Sequence, residues 1–181
     1  MKHFLLVLPL LLPVASGAVE FSTVRPDTSR VTFVSKQMGV PVEGLFKKFT
    51  AHIRINPAKP EGGTAHITID LASIDAGSAE ANDEVMGKSW FNVAEFPRAE
   101  FVSSSVKALG GGKYEARGKM TIKGKSAEIR APFILKEAKG ELEVVGEFPL
   151  KRLDFGIGSG LWSDTSVVAD EVQIKFHLML K

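Results

Sequence analysis

The sequence predicts an all-β domain, an eight-stranded antiparallel barrel with up-and-down connections and one short helix between strands three and four. Three observations carry this. Most of the chain alternates apolar and polar residues with a period of two, the mark of a strand with one buried face. The breaks between these runs are short and rich in Gly, Pro and Asn, as hairpins between antiparallel neighbours require. One longer interval, residues 73–97, loses the alternation and carries a helix-start pattern instead.

In chain order, the first segment lies outside the domain. Residues 1–3 are a short basic start, and "FLLVLPLLL" (4–12) is an apolar run well short of the ~20 residues that cross a bilayer. Ser16 and Ala18 stand at the spacing a signal peptidase reads. Residues 1–18 are therefore expected to be an export signal removed after Ala18, leaving residues 19–181 as the domain. The chain has no cysteine, hence no disulfide framework and no lipid-modified cysteine at the cleavage site.

The strands follow. "RVTFVSK" (30–36) alternates weakly. In "FTAHIRI" (49–55), Phe49, Ala51, Ile53 and Ile55 share a face; Lys47 and Lys48 before it interrupt the pattern and predict a bulge or bend. "AHITIDL" (65–71) sets Ala65, Ile67, Ile69 and Leu71 in one row. "SAEANDEVMGKSWF" (78–91) then reads as a short helix, with Ser78 as N-cap and Glu80, Asp83 and Glu84 near its positive end. "AEFVSSSV" (99–106) is a second weak strand, with Val102 and Val106 read as an outward apolar pair. "YEARGKMTI" (114–122), "AEIRAPFILK" (127–136) and "LEVVGEFPL" (142–150) alternate cleanly. So does "VADEVQIKFHLML" (168–180), where Ile174, Phe176 and Leu178 oppose Gln173, Lys175 and His177. Eight such strands form a sandwich or a barrel. Sequential hairpins favour the barrel, which removes exposed edges.

The inward rows contain small residues, Ala51, Ala65, Ala116, Gly118, Ala127, Ala131 and Gly146, among the large ones. They either leave an internal channel or accommodate large residues opposite, and both kinds of barrel exist. In either case most of the wall lacks acids, bases and histidines, so a ligand inside must be long and apolar.

Function classes fall away on composition. The formal net charge is +2 with charges interspersed among apolar residues, which argues against a nucleic-acid partner. His52, His66 and His177 lie on outward rows, and no two share ligand spacing on one element, so no metal site is expected. The stretch "LDFGIGSGLWSDTS" (153–166) resembles three kinds of chemistry and satisfies none. Asp154-Phe155-Gly156 lacks the other kinase motifs. Gly156, Gly158 and Gly160 lack the following helix or the Gly-Lys-Ser/Thr ending of a phosphate loop. Ser159 lacks a nucleophile frame, and His177 points outward. No catalytic residue is assigned; the composition suits an apolar flap over a cavity mouth. The inward row of the seventh strand continues to Arg152 and Asp154, and that of the eighth, which starts at Val168, contains Asp170. Arg152 is thus expected either to pair with a carboxylate and anchor the loop, or to meet a ligand's polar head group.

On several spaced blocks the chain resembles the YceI-like family of periplasmic polyisoprenoid-binding proteins. The blocks are "DTSRVTFVSKQMGVPVEGLFKKF" (27–49), "SIDAGSAEANDEVMGKSWFNVAEFPRAEFVS" (73–103), "GKMTIKGKS" (118–126) and "RLDFGIGSGLWSDTSVVADEV" (152–172). The likeness covers essentially the whole mature chain. It implies a lipocalin-like barrel in the periplasm that holds a long-chain isoprenoid lipid, a polyprenyl or quinone species, and has no catalytic residues and no cofactor of its own. Matching by position points to Phe33, Met38, Phe46, Trp90, Phe91, Phe96, Phe155 and Trp162 as residues lining or covering the pocket, beside Arg152. Transient membrane contact and a dimer are both compatible with this. The rival readings are an enzyme acting on such lipids and a non-catalytic partner-binding or stress-related module with a filled barrel.

Overall fold

The computed structural model describes residues 20–181; the expected export signal lies outside them. The strands are β1 (Arg30–Gln37), β2 (Val40–Phe46), β3 (Phe49–Arg54), β4 (Thr64–Asp70), β5 (Ile74–Asp75), β6 (Arg98–Gly110), β7 (Lys113–Ile122), β8 (Lys125–Ala138), β9 (Glu141–Lys151) and β10 (Glu171–Leu180). They form one curled antiparallel sheet in the order β3-β4-β6-β7-β8-β9-β10-β1-β2-β5. One helix, α1 (Ala79–Met86), lies between β5 and β6, and the Ser78 side chain accepts a 3.1 Å bond from the Ala81 N–H as its N-cap.

Ten strands stand where the sequence pattern predicts eight, and the two extra ones are continuations. β2 runs into β3 through a bend at Lys47 and Lys48, and β4 runs into β5 through the 3-10 turn Leu71–Ser73. Phe46 pairs with Ile74 and Phe49 with Ile69. The second segment therefore carries two more residues, and these coil into the turn. Across the bend the Lys47 N–H donates to the Ser73 carbonyl (3.0 Å) and the Asp70 N–H to the Lys48 carbonyl (3.1 Å). Since β2 pairs with β1 on one side and β5 on the other, the curled wall is carried around the barrel by two bent segments. The expected bend is present; the strand before it escapes sequence reading because "VPVEGLF" contains Pro41 and Gly44. Pro41 is tolerated there. Its partner Lys36 turns its carbonyl to the Ala169 N–H, and β5 reaches only Leu45 and Phe46, so Pro41 faces free edge.

A second departure is in β6. The ladder with β7 slips between Ser103 and Ser105. This bulge turns Val106 inward, where it is 6% exposed, while Val102 stays outside. The outward Val102–Val106 pair does not exist, because a single bulge exchanges the faces of all later residues.

The barrel's two ends differ. At one, Phe21 bridges to Ile55 and Val24 to Leu180, and Phe21, Leu142 and Leu180 are almost fully buried as a floor. The other end carries α1, the β1–β2 turn and the long β9–β10 connection.

The inward glycines have a common purpose. A Cβ on Gly44 would meet the Phe33 ring at 2.2 Å, one on Gly118 the Phe101 ring at 2.7 Å, and one on Gly146 the Phe176 ring at 2.4 Å. Each glycine lets a neighbouring aromatic ring lie flat along the wall rather than project into the lumen. Small inward residues thus accommodate large neighbours and keep the interior open at once. At Gly146 the Pro132 carbonyl lies only 2.3 Å from the same Cβ position, so backbone must move if the site is filled. Gly146→Ala is expected to lower stability by about 1–3 kcal/mol, read as a reduced midpoint in urea unfolding with an unchanged slope.

Candidate functional site

The curled sheet encloses a cavity of about 610 Å³, within the ~300–1,000 Å³ of typical small-molecule sites. Its wall is apolar, built from inward residues such as Ile67, Ile69, Phe101, Phe148, Ile174 and Phe176. Ala65, Ala116 and Ala131 also line it. Side chains with charge or hydrogen-bonding groups occur toward the ends: Ser35, Gln37, Glu80 and Glu84 by α1, and Arg54 and Thr64 by the floor.

Six of the nine residues expected at the pocket line the cavity: Phe33, Phe46, Trp90, Phe91, Arg152 and Trp162. Their rings form two groups. Phe33 and Phe46 stand 5.5 Å apart and Phe46 and Phe91 6.4 Å, while Trp90 and Trp162 stand 5.4 Å apart, centroid to centroid. The other three do not line it. Met38 sits on the β1–β2 turn with φ 48° and is 78% exposed, since the hairpin reverses there before the side chain can turn inward. Phe96 packs its ring over Gly124 in the β7–β8 turn. Phe155 is buried in the core behind the loop, because the 3-10 turn Arg152–Phe155 takes it out of the strand row. Position-matching missed the strand residues of the wall, although the period-two rows already contained most of them. It also missed the helix face of Glu80 and Glu84, since nothing in an eight-residue helix says which side meets a cavity.

Arg152 is the best-satisfied polar group of the site. It is 2% exposed, and all five of its N–H donors meet backbone carbonyls. Nε donates to Ala169 at 3.1 Å, Nη1 to Ile157 (2.8 Å) and Gly158 (3.1 Å), and Nη2 to Trp162 and Val168, both at 2.7 Å. The guanidinium also lies 5.6 Å from the centre of the Trp90 ring, within cation–π range. Burial lowers its pKa from the usual arginine value, and the charge of Asp170 opposes that shift. Arg152 does anchor the loop, as expected, but the expected carboxylate partner and the expected head-group contact are corrected. Among the described residues no carboxylate makes an ion pair with it, and it has no donor left for a head group. Asp170 instead accepts from the Leu153 N–H at 3.0 Å, and Asp154 turns outward with the 3-10 turn.

The loop's glycines follow from this. Gly158 has φ +78°, and a Cβ there would lie 2.2 Å from Arg152 Nη1. The N–H groups of Gly158 and Ser159 both donate to the Ser89 carbonyl, at 2.8 and 2.7 Å, which ties the loop to the segment after α1. Ser159 and Asp164 are remote from His177, whose Nε2 pairs with Glu143 at 2.7 Å on β9. His52 and His66, read from sequence as separate surface residues, face each other across β3 and β4 with ring centres 6.5 Å apart. Among the described residues no three His, Cys, Asp or Glu side chains converge on a metal position.

Comparison with known proteins adds a common frame. A family model described as a YceI-like domain matches residues 23–180. A UPF0312 protein of Shewanella sp. is 30% identical over 138 residues, spanning 73% of this chain and 69% of its own. The crystal structure of BcnA from Burkholderia cenocepacia superposes with a TM-score of 0.86 at 48% identity, covering 88% of this chain and 100% of that one. A polyisoprenoid binding domain from Saccharophagus degradans shares the fold with a TM-score of 0.68 at 17% identity, over 90% of this chain and 97% of its own.

Arg152→Met would leave five carbonyls without their donor, three of them in fully buried bonds. It is expected to destabilise the fold by about 3 kcal/mol or more. Limited proteolysis should then cut first between residues 156 and 166, whereas the parent protein resists there.

Proposed function

The chain belongs to the YceI-like family, and on that premise we propose that it is a non-catalytic binding and carrier protein for a long-chain isoprenoid lipid, a polyprenyl or quinone species. The observation that carries this reading is the cavity: about 610 Å³ inside the barrel, with an apolar wall and a closed floor. Burial of each methylene contributes roughly 0.8 kcal/mol, so a ten-carbon stretch brings about 8 kcal/mol before ordering losses. Few polar contacts are then needed. A filled barrel fits less well, because the flat-lying rings over Gly44, Gly118 and Gly146 preserve the lumen. Catalysis fits less well too, since Arg152 is fully engaged and the remaining acids of this end sit at the rim.

The N-terminal pattern supports export, and the periplasm is the compartment this reading assigns. Exchange with a membrane would pass through the end that carries Met38, Val40 and Leu161, all strongly exposed.

Two measurements test the proposal. Mass spectrometry of organic extracts from protein exported and purified without detergent should show a stoichiometric isoprenoid species. Offered isoprenoids should also change the fluorescence of Trp90 and Trp162. An empty protein with unresponsive tryptophans would sink the carrier reading. Ala116→Trp, which places a large ring into the lumen from β7, is expected to weaken isoprenoid binding at least about tenfold while the β-sheet circular dichroism persists.

A further inference from the structure

Resting on that reading of the cavity, we propose that its mouth selects the lipid by head group: Glu80 and Glu84 favour an isoprenoid ending in a neutral hydroxyl and disfavour one ending in phosphate or diphosphate. The head group belongs at the α1 end, because Phe21, Leu142 and Leu180 close the other end. A phosphate there would need cations with free donors, and the cations bordering the cavity are Arg54 and Arg152. Arg54 stands at the floor end, paired with Glu20 at 2.9 Å. Arg152 has spent its five donors on carbonyls. Two lysines of the α1 end are also committed. Lys47 pairs with Asp75 at 2.8 Å, and Lys123 donates to the carbonyls of Lys88 and Gly156, each at 2.9 Å.

Neither Lys88 nor Lys125 borders the cavity, and the charged groups that do border it at this end with free polar atoms are acceptors. Glu80 and Glu84 are one helical turn apart, on the face of α1 that also brings Ala81 and Val85 to the cavity. Glu84 Oε1 accepts from the Trp90 indole N–H at 3.2 Å, which fixes the carboxylate at the rim and leaves its second oxygen for a ligand. The Glu80 carboxyl is held below the usual carboxylate range by its own backbone N–H and the Ser78 hydroxyl, so it is charged at neutral pH. Ser35 and Gln37 border the cavity from β1 and add neutral polar groups. A hydroxyl donates to such acceptors, whereas a phosphate brings like charge to the rim. Because both glutamates are exposed, salt weakens the repulsion.

The test is a tryptophan-fluorescence titration with farnesol and with farnesyl monophosphate, on the parent protein and on the Glu80→Gln, Glu84→Gln double variant. Gln keeps an acceptor for Trp90 and removes the charge. Farnesol is expected to bind at least about tenfold more tightly than the phosphate at low salt. That ratio should fall in 0.5 M salt, roughly the regime where screening reaches contact range, and fall again in the double variant. Equal or tighter binding of the phosphate by the parent protein overturns the inference and leaves the isoprenoid reading standing. A ratio unmoved by the double variant also overturns it. Failure of both lipids to bind refutes the isoprenoid reading itself, and the inference with it.

Discussion

A single guanidinium organises the open end of this barrel. Arg152 follows directly after β9 and is buried beneath a loop that sends Phe155, Ile157 and Val168 into the core. Its five N–H groups gather carbonyls from Ile157, Gly158, Trp162, Val168 and Ala169, so the whole connection to β10 is folded around one side chain. Leaving any of those donors unmet inside the protein would cost about 1–3 kcal/mol, more for a charged group. The loop therefore has few ways to fold, and Gly158 is needed where the arginine passes closest. The same arrangement sets Trp162 against Trp90 and brings both to the cavity edge. The rim of an apolar cavity is thereby defined by a polar group whose own donors are all turned to the backbone.

The wall solves a different problem, which is to bury enough apolar surface to fold without filling the interior. Aromatic side chains supply much of that surface, yet rings projecting from facing walls would meet in the middle. Gly44, Gly118 and Gly146 give the rings of Phe33, Phe101 and Phe176 a place to lie flat. Stability and capacity are then served by the same pairs. The floor, where Phe21, Leu142 and Leu180 pack against Leu178, provides the dense core that the rest of the lumen forgoes. A lipid in the lumen would add apolar contact along this wall, which is how the proposed function and the packing of the wall are linked.

Much of the fold is legible along the chain because its strands have one dry face. Period-two rows such as Val172, Ile174, Phe176, Leu178 and Leu180 follow from that alone, as does the Ser78 cap of α1 from local hydrogen bonding. Where the local code is weak, reading fails. Pro41 and Gly44 hide β2, since the free edge that excuses Pro41 and the Phe33 ring that fills the space of Gly44 are both remote in sequence. The bulge at Ser103 to Ser105 moves Val106 inside without any local signal, because a register slip is decided by the partner strand.

The site divides along the same line. Sequence by itself determined an all-β domain with an apolar interior, a helix capped at Ser78, and a break in the alternation after residue 153, because periodicity and capping are local properties. Only the tertiary structure decided that Met38 lies outside, that Phe155 and Phe96 pack away from the cavity, and that Arg152 binds carbonyls rather than carboxylates. Those outcomes depend on which groups meet across strands far apart in the chain, and a buried donor takes whichever acceptor the fold places within about 3 Å of it.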